Sequence, residues 1–160
     1  MRYFEDLAVG ELEEIGRHVV SRDEIVRFAE QWDPQPFHLD EEAARASVFG
    51  GLTASSCHTW SIASLIFSRH PEKLKTAAML GLKMRFPNPV RPDDELTLHQ
   101  ICLDKRLSRS RPEYGIVKSR VVMVNGAGQE VMVSQSSYFA ARRDAANERD
   151  AAGLDRLDRS

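Results

Sequence analysis

The hydrophobic rhythm of the chain changes near its middle, from helix-like spacing to strand-like runs. Residues 11–20 read as a first strand, and Ser21-Arg22-Asp23-Glu24 then has the form of a capping box, with serine at the helix start and glutamate three residues on. Ile25, Phe28, Ala29 and Trp32 recur at helical spacing, which predicts a short helix ending near Trp32. Asp33-Pro34-Gln35-Pro36 cannot continue it, because each proline lacks an amide proton and disfavours helical geometry in the residue before it. The segment carrying His38 is therefore expected as a rigid loop. Asp40 suits the cap of a brief helix through Ala43 and Ala44, and Phe49-Gly50-Gly51 gives the backbone a flexible bend. Residues 54–69 follow almost without charge, with Cys57, Trp60, Ile62, Ala63, Leu65, Ile66 and Phe67 around most of the circumference. They predict a main helix buried nearly all round.

His70-Pro71 ends that helix, and the remaining pattern is a series of strand-like runs at 77–86, 95–106, 115–125 and 129–140. Asn125-Gly126-Ala127-Gly128 has hairpin chemistry, while Pro87-Asn88-Pro89 and Arg91-Pro92-Asp93-Asp94 punctuate the earlier link. One apolar helix followed by a long antiparallel sheet predicts an α+β domain in which the sheet wraps the helix.

With 160 residues and 42% hydrophobic content, one core is the default. The expected division is a folded domain over 1–142 and a charged tail over 143–160, where Arg, Asp, Glu and Ala leave too few large apolar groups to pack. A formal net charge of -2 gives no global attraction to nucleic acid or an anionic membrane surface, so neither is expected as a partner. The start lacks a leader-like apolar segment and no later run is long enough to span a bilayer, so a cytoplasmic location is expected. Cys57 and Cys102 are too few for a disulfide framework or a paired-cysteine metal site. No metal ligand set is expected.

The stretch from Phe28 to Asp40, with Asp33 and His38 at its centre, resembles the hydratase motif of the MaoC-like dehydratases, the family that includes (R)-specific enoyl-CoA hydratases. The resemblance continues through Ala43-Ala44, Phe49-Gly50-Gly51-Leu52 and His58-Thr59 to Phe86, Pro89-Val90-Arg91-Pro92 and Ser108-Arg109-Ser110-Arg111-Pro112, covering roughly residues 5 to 142. It implies a hot-dog fold and a hydro-lyase acting on enoyl or β-hydroxyacyl thioesters. Coenzyme A enters only as part of the substrate, with an acyl-carrier thioester as the alternative, and no separate cofactor is implied. The family also implies a homodimer or higher assembly, which suits an open sheet edge and a partly uncovered helix.

Hydrating a double bond beside a thioester carbonyl needs a base to activate water and a proton for the α-carbon. A carboxylate and an imidazole holding one water supply both, so Asp33 and His38 are expected as the catalytic pair, although singly each passes for an ordinary turn or loop residue. By resemblance the backbone N–H of Ser56 is the oxyanion donor, with Gly51 nearby in the turn. Here Thr53-Ala54-Ser55-Ser56 replaces the Ile-Ala-His-Gly run of the common hydratase pattern, and Gln35 replaces its asparagine. Arg85, Arg91, Arg109 and Arg111 are candidates for the phosphates of coenzyme A, against the plainer reading of solvated surface arginines. His58 and Cys57 are read as packing residues, while His18, His70 and His99 need no function; Ser55, Ser56 and Ser61 lack the strand-turn-helix context of a nucleophile. The alternatives are a hot-dog thioesterase and a non-catalytic acyl-thioester binding protein.

Overall fold

The computed structural model of the chain describes residues 1–143. After a single turn of 3-10 helix at Phe4–Asp6 come strand β1 (Leu12–Val19) and helices α1 (Arg22–Trp32), α2 (Pro36–Leu39), α3 (Glu41–Ala46) and α4 (Ser56–Arg69). Strands β2 (Thr76–Arg85), β3 (Glu95–Leu107), β4 (Tyr114–Val124) and β5 (Glu130–Ala141) follow, each within about one residue of its expected bounds. The pairings between these strands are antiparallel, and the sheet order is β1-β3-β4-β5-β2. This is the expected α+β hot-dog arrangement, with β1 added at one edge and β2 at the other.

The core lies between α4 and one face of the sheet. Ile62, Ala63 and Ile66 of α4 pack in one cluster with Leu96 and Leu98 of β3, Val121 and Met123 of β4, and Met132 of β5. The period of two along β3 and β4 is the alternation that puts successive side chains on opposite faces. Each large side chain so buried contributes roughly 1.5–3 kcal/mol relative to exposure. β1 can lie against α4 because Gly16 has no side chain: a Cβ there would come within 3.1 Å of Ile66 Cγ2.

Three expectations need correction. α4 is not buried all round, since Ser56, Cys57, Ser61, Ser64 and Ser68 are exposed; one five-stranded sheet covers only one side of a helix. His38 does not sit in a loop but in α2, where Pro36 occupies the first helical position and its missing amide proton costs nothing. The capping box is only half formed. The Glu24 amide donates to Ser21 Oγ at 3.1 Å, whereas the Glu24 carboxylate turns away to His18 and His58. Among the described residues no helix is long and apolar enough to cross a membrane. The expected tail lies outside the described residues except for Arg143, whose guanidinium donates to Asp6 Oδ1 at 2.6 Å.

Candidate active site

Asp33 is the residue at which α1 stops: its amide still donates to the Ala29 carbonyl at 3.0 Å, but its backbone has left helical geometry. The two prolines then steer the chain directly into α2, and the His38 amide donates to the Gln35 carbonyl at 2.9 Å. This path brings His38 Nε2 to 3.5 Å from Asp33 Oδ2, with His38 buried and Asp33 partly open to solvent.

The imidazole is held from behind. Nδ1 lies 2.6 Å from the Thr53 carbonyl oxygen, and because a carbonyl only accepts, the hydrogen-bond network assigns the proton to Nδ1. In the neutral ring Nε2 then presents a lone pair toward Asp33. Two acceptors 3.5 Å apart make no hydrogen bond to each other; they have the geometry to take both protons of one water. Thr53 is itself pinned by its hydroxyl, which donates to the Val90 carbonyl at 3.0 Å.

The partner of Asp33 was missed at the sequence level. Ser55 Oγ donates to Asp33 Oδ2 at 2.6 Å and accepts from the Cys57 amide at 3.1 Å, which makes Ser55 the cap of α4. A serine just before the apolar helix was a cap signal in the sequence; that it faces Asp33 was not.

Ser56 occupies the first position of α4, and its amide has no hydrogen-bond acceptor among the described residues, as the first turn of any helix allows. The structure groups Gly51 differently, with Arg91: Arg91 donates to the Gly51 carbonyl at 2.5 Å, to Leu52 at 3.2 Å and to Phe49. Arg91 thus donates to three backbone carbonyls. Arg85 is likewise paired, with Glu130 at 3.0 Å. Arg111 lies 5.7 Å over the Phe139 ring, and Arg109 makes no ion pair among the described residues. Arg106, Ser108, Arg109 and Ser110 line an open cavity of about 530 Å³ at the β3–β4 turn.

That turn is remote from Asp33 within one chain. β3 starts opposite Val19, where β1 leads into α1, and its 13 residues extend roughly 40 Å before the turn, whereas the 11 residues of α1 span only about 16 Å. The structure therefore brings together Asp33, His38 and the start of α4, and leaves Arg109 and Arg111 apart from them.

The five-stranded sheet and central helix together define a hot-dog protein, and the carboxylate–imidazole pair lies beside the start of that helix. The MaoC like domain family matches residues 10–124, and the chain belongs to that family. It is 33% identical to the uncharacterised protein YdeM of Bacillus subtilis over 141 residues, covering 86% of this chain and 98% of that protein. A solved MaoC-like dehydratase from Rhodospirillum rubrum matches with TM-score 0.83 at 40% identity, over 89% of this chain and 99% of that one. The unliganded R-hydratase PhaJ1 from Pseudomonas aeruginosa, at 22% identity and TM-score 0.66 over 88% and 86% of the two chains, shares the fold.

Proposed function

We propose that this chain is a hydro-lyase for CoA-linked acyl thioesters, adding water to an enoyl thioester or removing it from a β-hydroxyacyl thioester. The observation that carries the reading is the approach of His38 Nε2 to 3.5 Å from Asp33 Oδ2, two acceptors close enough to share one water. With the water so held, its oxygen attacks the β-carbon as one proton passes to the pair, and a proton is delivered from the pair to the α-carbon. The elements of one water are added across one carbon–carbon double bond, with no net oxidation or reduction. The vacant amide of Ser56, at the positive end of α4, suits the negative charge that grows on the thioester oxygen. The R. rubrum relative, a MaoC-like dehydratase by name, supports the same class.

Assembly as a homodimer belongs to this reading. Among the described residues β2 pairs only with β5, and its Met79, Leu80 and Leu82 are exposed. Beside them a cavity of about 490 Å³ opens between Trp60 and Phe67 of α4 and Gln100, Ser136 and Tyr138 of the sheet. An apolar, unpaired edge of this kind favours pairing with a second sheet.

The test is hydration of a panel of short, branched and dicarboxylic enoyl-CoA thioesters by the wild type, Asp33→Asn and His38→Asn. Turnover of at least one member, with each substitution costing roughly a hundredfold or more, is the expected result. Release of free thiol instead of hydration would make the chain a thioesterase, and binding without turnover a binding protein.

A further inference from the structure

Oδ2 of Asp33, the oxygen nearest His38, is also the oxygen bound by Ser55 at 2.6 Å. A serine hydroxyl has one proton and here its roles are fully assigned: the Cys57 amide can only donate to it, so the proton goes to the carboxylate. Oγ is therefore not a free rotor. It is held by the first turn of α4 and is itself 1% exposed at the residue level, so water does not compete for it. Oδ1 of Asp33 takes no hydrogen bond from the described residues.

Two positions earlier on the same segment, the Thr53 carbonyl holds His38. One short piece of main chain, anchored by Thr53 to Val90 and by Ser55 to the start of α4, thus grips both members of the pair from outside the α1–α2 connection that carries them. Asp33 lies in a turn and is partly open, so without such a grip its carboxylate has several rotamers within reach.

We propose that Ser55 is a positioning residue: its hydroxyl locks the Asp33 carboxylate in one rotamer, occupying one lone pair of Oδ2 and keeping that oxygen beside His38 Nε2, where the pair shares the reacting water. Ser55 touches no substrate atom and acts only through Asp33. The catalytic consequence rests on the hydro-lyase reading, while the positional one rests on the geometry alone.

The experiment compares wild type, Ser55→Gly and Ser55→Thr. Glycine and threonine are both tolerated as helix caps, so the fold is retained and a melting curve checks it; only threonine keeps the donor. Two readouts are taken, kcat and KM with the best enoyl-CoA of the panel, and the χ1 rotamer populations of Asp33 from NMR scalar couplings. For Ser55→Gly the expected result is a fall in kcat of roughly 10- to 100-fold with KM little changed, the size of effect that loss of alignment brings. Asp33 should average over rotamers in that variant, while Ser55→Thr keeps most of kcat and a single rotamer. A glycine variant that retains both kcat and one Asp33 rotamer overturns the proposal. Should the wild type hydrate no thioester, the couplings alone decide: averaging in Ser55→Gly upholds the positioning role while the hydro-lyase reading falls, and a single rotamer overturns the proposal as well.

Discussion

His58 Nε2 stands 3.3 Å from Glu24 Oε1, and the same carboxylate receives His18 Nε2 at 3.0 Å, so one glutamate at the start of α1 joins that helix to both β1 and α4. The His58 ring also stacks on Phe28 at 4.5 Å and 11°, and its Nδ1 has no hydrogen-bond partner among the described residues. With Asp33 held by Ser55 at the other end of α1, the helix that delivers the carboxylate is fastened to α4 at both of its ends.

This cluster sets a pH dependence of stability. Burial, the largest influence, pushes the His58 imidazole below its usual 6.5 against the pull of Glu24. Burial raises the Glu24 carboxyl, but the hydrogen bonds and charges of His18 and His58 outweigh it and hold the group below its usual 4.5. In both cases the folded chain binds fewer protons than the unfolded one just below the usual value, so stability falls as pH falls. Tm should be steady from about pH 8 to the usual histidine value, decline below 6.5, and decline again below 4.5. His58→Gln should flatten the first decline, and a calorimetric Tm that ignores pH across that window would contradict the assignment.

Arg109 is the one of the four arginine candidates whose side chain makes no hydrogen bond, ion pair or ring contact among the described residues. Arg109→Ala should raise KM for a CoA thioester by about two- to fivefold at low salt, the range of an exposed charge contact, and leave kcat alone. The effect should fade as salt is added. Arg91→Ala should act differently, lowering Tm because three backbone carbonyls lose their donor. Steady-state kinetics at two ionic strengths, beside melting curves, separates the two.

At the β2 edge, Met79→Lys combined with Leu80→Lys places charge on exposed apolar positions of the edge strand. The wild type should run as a dimer by light scattering and the double variant as a monomer. A dimer that survives unchanged means that the assembly uses another surface.

Gly115 on β4 lies directly under the Phe4 ring, where an added Cβ would fall 2.0 Å from a ring carbon. Gly115→Ala should cost about 1–3 kcal/mol through overpacking, and Phe4→Ala about 3–5 kcal/mol at most, through the cavity it leaves. Urea unfolding of the two variants tests whether the N-terminal 3-10 turn is part of the cooperative fold.

The order and type of the main elements were legible because their signals are local. Alternation along β3 and β4, the serine at the head of α1, Asp40 at the head of α3 and the Asn125 turn all act through near neighbours in the chain. The spacing of Asp33 and His38 across two prolines was legible for the same reason, since the prolines restrict the path between them. What each side chain meets across the fold was not. Ser55 reaching Asp33 over 22 positions, Thr53 setting the imidazole proton, Arg91 turned onto carbonyls and Glu24 leaving its own cap for two histidines are contacts between segments distant in sequence. Only when the sheet closes over one side of α4 are those segments brought within hydrogen-bond reach, and only then does the exposed serine face of that helix differ from its buried one.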